Sequence, residues 1–64
     1  MVKINGELMD MSGKTVSEAV EALGLSADRI AVELNLEIVP KASYSETVLK
    51  DDDVVEVVRV VGGG

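Results

Sequence analysis

Apolar and polar residues alternate along Val2-Lys3-Ile4-Asn5, as they do in a half-buried strand. Asn5-Gly6 follows, the residue pair that suits a two-residue hairpin turn because both central positions need positive φ. Glu7 to Met11 alternates again and reads as the returning strand, with Met9 and Met11 inward and Leu8 and Asp10 outward. After the turn Ser12-Gly13-Lys14 the period changes. Val16, Ala19, Val20 and Leu23 recur at helical spacing and form one buried stripe, while Ser17, Glu18 and Glu21 face water. Thr15-Val16-Ser17-Glu18 in front of it is a capping box. Gly24 suits the left-handed residue past a helix end, with Leu25 folding back as its apolar partner.

Ser26 to Arg29 is a short connection. Ile30 to Asn35 alternates again, with Ile30, Val32 and Leu34 on one face. Asn35-Leu36 is a tight turn with Asn35 at positive φ, and Leu36 is an unusual occupant there. Glu37-Ile38-Val39 is a short strand stopped by Pro40. Lys41 to Leu49 is a loop with room for one helical turn near Ser43 to Glu46. Asp51-Asp52-Asp53 is a polar turn, and Val54 to Val61 is the last and strongest strand. Two hairpin halves thus flank one helix, whose single stripe covers one face of a mixed sheet. The first and last strands are expected to pair in parallel at its centre. This is an α+β, β-grasp arrangement as in ubiquitin: four to five strands with one main helix on one face. It divides the chain into a domain over residues 1–61 and a flexible tail over residues 62–64.

A length of 64 residues allows one domain with little spare stability. The chain has no Cys and no His. That excludes a disulfide framework, a zinc site of the usual ligands and a thiol nucleophile, and removes the commonest general acid–base group. Catalysis by the chain alone is not expected. Twelve acidic residues against six basic ones give a net charge of −6, which argues against nucleic acid. A lone aromatic, Tyr44, offers almost no stacking platform and reads as a core cover or loop anchor. No apolar run approaches the roughly 18 residues of a membrane span, and no signal peptide is visible. A cytoplasmic protein handled by other proteins is expected.

The tail Gly62-Gly63-Gly64 has no folding purpose, since glycine loses the most entropy on ordering. Without a Cβ, however, the backbone threads a channel too narrow for side chains. Three extended residues deliver the Gly64 carboxylate about 10 Å beyond the sheet. A carboxylate is a poor electrophile and needs activation, most simply as an acyl-adenylate that a sulfur nucleophile then attacks. The bland alternative is a frayed terminus. In the last strand Val55 and Val57 share one face, and Val54, Glu56, Val58 and Val60 the other. A buried glutamate is costly, so the Glu56 face is the outer one. Val58 and Val60 are then exposed beside the tail, either as spare β-branched residues or as a docking patch. Arg59, of inward parity, is the only cation near the tail in this reading, either a contact for an acidic partner residue or a solvated charge. Asp51-Asp52-Asp53 lacks the glycine and distal glutamate of a calcium loop and reads as a turn that keeps an edge soluble. No metal site is expected.

Over its whole length the chain resembles the ThiS family, the sulfur carriers of thiamine (thiazole) biosynthesis. The resemblance rests on Ile4-Asn5-Gly6, on Thr15-Val16 opening the helix, and on Ile30-Ala31-Val32-Glu33-Leu34-Asn35. It continues through Glu37-Ile38-Val39-Pro40 and the acidic turn to Val60-Val61-Gly62-Gly63-Gly64. Leu36 departs from the glycine that many members carry after the asparagine. The resemblance implies adenylation of Gly64 by a ThiF-type enzyme using ATP and Mg, with Gly63 and Gly62 as its flexible lead. A cysteine desulfurase would supply sulfur, and a ThiG-like thiazole synthase would take it from the Gly64 thiocarboxylate. The chain itself would bind no cofactor. Related readings are a MoaD-like subunit of molybdopterin synthase, a carrier for tRNA thiolation or cysteine synthesis, a ubiquitin-like modifier, and a plain interaction module.

Overall fold

The computed structural model describes residues 1–60. Five strands and one helix follow in the order β1 (Val2–Ile4), β2 (Glu7–Met9), α1 (Val16–Ala22), β3 (Ile30–Leu34), β4 (Glu37–Val39) and β5 (Val54–Arg59). The sheet order is β2-β1-β5-β3-β4, with β1 and β5 parallel and every other pair antiparallel. This is the β-grasp arrangement, with five strands. Val16, Ala19 and Val20 of α1 pack on the inner face of the sheet against Val2, Ile4, Ile30, Val32, Val39, Val55 and Val57, and Tyr44 and Leu49 close the same core. Tyr44 both covers the core and anchors its loop, since its carbonyl accepts from Ser17 N–H at 3.0 Å.

The four donors of the first helical turn are all partnered, as seven residues with so little intrinsic helicity require. Thr15 Oγ1 accepts from Glu18 N–H at 3.1 Å, and Glu18 Oε1 accepts from Thr15 N–H at 2.9 Å. The two remaining donors of the first turn bond the long loop: Val16 N–H to Thr47 O and Ser17 N–H to Tyr44 O. At the far end Gly24 has φ +73, its N–H donates to Glu21 O, and Leu25 N–H donates to Val20 O, the paired bonds of a Schellman motif.

Several boundaries differ from the sequence expectation. The return strand stops at Met9. The helical turn of the loop is a 3-10 turn over Lys41–Ser43, earlier than expected, because Pro40 fixes the φ of its entry residue and the turn starts at once. A second 3-10 turn, Ala27–Arg29, occupies the connection after α1. The acidic turn is not merely a soluble edge. Asp53 is 8% exposed and its carboxylate accepts from Lys50 N–H at 2.9 Å and from Asn35 Nδ2 at 3.0 Å. No helix is long and apolar enough to cross a membrane among the described residues.

Candidate functional site

The middle strand, β5, carries the chain towards the tail, and two asparagines hold it from opposite sides. Asn5 (φ +50) and Asn35 (φ +51) each sit in a hairpin turn at positive φ. Asn5 Oδ1 accepts from Val57 N–H at 2.8 Å, and its Nδ2 donates to Val57 O at 3.2 Å. Asn35 Oδ1 accepts from Val54 N–H at 2.9 Å, and its Nδ2 reaches Asp53. Where β1 and β3 run out, the amides stand in for missing strand residues. The sequence shows two turn formers here; that their side chains also clamp the central strand is visible only once the topology is known.

Outward residues of β3 and β5 oppose each other in rungs: Ala31 with Val58 and Glu33 with Glu56. The bonds Asn35 N–H to Val54 O and Val60 N–H to Arg29 O, both 2.8 Å, extend the ladder beyond either end of β3. Val58 and Val60 are exposed (58% and 56%), and Val54, Ile38 and Leu36 join them on the open side of the molecule. Glu33 and Glu56, like charges directly opposite one another, have no ion pair among the described residues.

Arg59 is not the only cation near the tail. The register brings Arg29 beside Val60, and the chain's two arginines line one depression with Leu25, Ser26 and Ile30 at the end of the sheet. The acid next to Arg29 in sequence, Asp28, is taken by Lys41, whose hydrogen bond and charge hold its carboxyl below the usual range. Neither arginine has a carboxylate partner among the described residues. Arg29 escapes a sequence reading because its connection shows no periodicity from which a register could be drawn. The tail residues Gly62, Gly63 and Gly64 lie outside the described residues. Among the described residues no group of three acidic side chains is placed to hold a metal ion.

The ThiS family model matches residues 2–64. The chain belongs to the ThiS family. Among its relatives, the sulfur carrier protein ThiS of Thermus thermophilus is 41% identical over 64 residues and is matched over the full length of both chains. A thiazole synthase of Paramagnetospirillum magneticum is 45% identical over 62 residues; these cover 95% of this ThiS-family chain and 19% of that protein. The chain therefore spans about a fifth of that relative's length. The crystal structure of the thiamine biosynthesis protein ThiS from Geobacter metallireducens superposes with a TM-score of 0.80 at 33% identity, covering 98% of this chain and 97% of that one. This likeness extends the β-grasp assignment from topology to three-dimensional agreement with a ThiS structure.

Proposed function

We propose that this ThiS-family chain carries sulfur for thiamine biosynthesis on the Gly64 carboxylate. The observation that carries the reading is the family match, which runs from the first strand through the three terminal glycines. The chemistry of the described residues agrees with a substrate role. They offer a five-stranded sheet, an exposed apolar face and two arginines beside Val60, and the sequence supplies neither thiol nor imidazole.

In this reading a ThiF-type adenylyltransferase takes up the tail and joins the Gly64 carboxylate to AMP from Mg-ATP, with pyrophosphate leaving. The terminal sulfur of a persulfide, supplied by a cysteine desulfurase, attacks the activated carbonyl and AMP departs. Reductive cleavage of the sulfur–sulfur bond by a thiol frees the thiocarboxylate, which a thiazole synthase consumes. That choice of acceptor is supported by the thiazole synthases that contain a stretch similar to this chain. ATP and Mg belong to the activating enzyme.

Intact mass after incubation with Mg-ATP, the activator, the desulfurase and cysteine tests the reading. The expected result is a gain equal to replacing one oxygen by sulfur, localised to Gly64. Removal of Gly63 and Gly64 should abolish that gain while the melting transition is retained. Loading that survives the deletion would overturn the mechanism.

A further inference from the structure

Asn5 does more for the sheet than turn a hairpin. Its N–H donates to Val55 O at 2.9 Å, its Oδ1 accepts from Val57 N–H at 2.8 Å, and its Nδ2 donates to Val57 O at 3.2 Å. The side chain thus continues the β1–β5 ladder after the main chain has turned away. In-register pairing of β1 with β5 covers Lys3 and Ile4, so this added rung is a large part of what joins the two strands.

The same residue carries an amide open to chemical attack. The chain has two side-chain amides, Asn5 and Asn35. Gly6 follows Asn5, both are exposed, and a Cβ built at Gly6 would meet nothing within 4 Å. No side chain therefore shields the Gly6 nitrogen. Attack of that nitrogen on Asn5 Cγ forms a C–N bond and closes a succinimide. The amide nitrogen leaves as ammonia and takes the Gly6 proton with it. Water then opens the ring at one carbonyl or the other, leaving an aspartyl or an isoaspartyl residue. Asn35 shares the left-handed backbone, at φ +51, and also bonds β5, but Leu36 follows it and crowds the attacking nitrogen.

The fold withholds this reaction at Asn5. Both polar atoms of the amide are engaged by Val57, so Cγ cannot swing round to the Gly6 nitrogen until the clamp lets go. We infer that Asn5-Gly6 is a guarded modification site, a one-way latch on the last strand. Once the ring has opened, the clamp cannot re-form. An aspartyl carboxylate has no donor for Val57 O and sets a negative oxygen against it. An isoaspartyl residue lengthens the main chain of a two-residue turn whose length fixes the register of the hairpin. Either product leaves β5 beyond Val55 held by β3 alone, on one side.

The test follows the full-length chain in warm, mildly alkaline buffer, folded and in concentrated urea. Intact mass reads the exchange of an amide NH2 for OH, peptide mapping places it, and an isoaspartyl methyltransferase detects the isoaspartyl product. In urea the change should fall on Asn5 well before Asn35. In the folded chain it should be slower by about tenfold or more, because it waits on opening of the clamp. The modified fraction, separated by anion exchange, should melt about 5–15 °C below the intact chain. No reaction at Asn5 in urea would overturn the site. Equal rates folded and unfolded would overturn the guard, and a modified fraction with unchanged Tm would overturn the latch.

Discussion

Truncating Asn35 should cost a large share of the total stability, although the residue is exposed and lies outside the core. Its Nδ2 donates to the carboxylate of Asp53 at 3.0 Å, and its Oδ1 takes the first β5 donor, Val54 N–H, at 2.9 Å. A hydrogen bond to a charged group contributes about 1.5–3 kcal/mol and a neutral one about 1 kcal/mol. The backbone at φ +51 adds roughly 1 kcal/mol more for a residue that resists the left-handed region. Asn35→Ala should therefore cost about 3–5 kcal/mol, against roughly 3–10 kcal/mol in total for a domain of this size. Asn35→Gly loses the amide but keeps the backbone freedom, and should be milder by about 1 kcal/mol. Asn35→Asp keeps an acceptor for Val54 but sets a second carboxylate beside Asp53. It should be less stable than the wild type at neutral pH, because two like charges are brought together there. Urea unfolding followed by far-ultraviolet circular dichroism measures all three. Ala and Gly variants within about 0.5 kcal/mol of the wild type would refute the claim that the amide pins the β3–β4 turn to β5.

Leu36 has φ +71, so Leu36→Gly should relieve left-handed strain and raise Tm by about 2–5 °C, as a thermal melt would record; a lower Tm would show that the leucine makes a stabilising contact. Glu18 titrates below the usual glutamate range because Thr15 N–H, and then its hydroxyl, donate to the carboxylate. Its folded value lies below its unfolded one, so its stabilising effect is complete above the unfolded value and is lost as pH falls from about 4.5 through the folded value. Acid titrations of stability should accordingly show a shallower loss below that pH in Glu18→Gln than in the wild type, and an identical slope would remove the capping box from the acid response. Val58→Asp should leave Tm within a few degrees, because the side chain is 58% exposed, while weakening adenylation through KM; global unfolding would place Val58 in the core.

Much of the architecture can be read from local patterns whose physics is local. The capping box at Thr15 and Glu18, the helical stripe and the alternation in β5 each involve residues close in sequence, and each appears as expected. Val55 and Val57 are buried and Val58 is exposed, as the cost of burying Glu56 requires. What escapes is whatever depends on register between distant segments. Asp53 looks like one of three equivalent acids until Asn35 and Lys50 are brought to it. The Glu33–Glu56 rung and the company of Arg29 and Arg59 follow from the pairing of β3 with β5, which no short stretch encodes. The 3-10 turn after Pro40 is misplaced from sequence because that loop has no periodicity to anchor it.

The central place of β5 has a mechanical consequence. A tug on the residues beyond Val60, with the body held by a partner, pulls β5 along its own axis between parallel β1 and antiparallel β3. Under that shear load the ladders on both sides, together with the Asn5 and Asn35 amide clamps, share the force rather than yielding one bond at a time as in a peeled edge strand. The short edge strands β2 and β4 lie off the line of pull. The strand that leads to the tail is thus a strong attachment point, and a machine that seeks to unravel the protein from that end meets resistance at the first step.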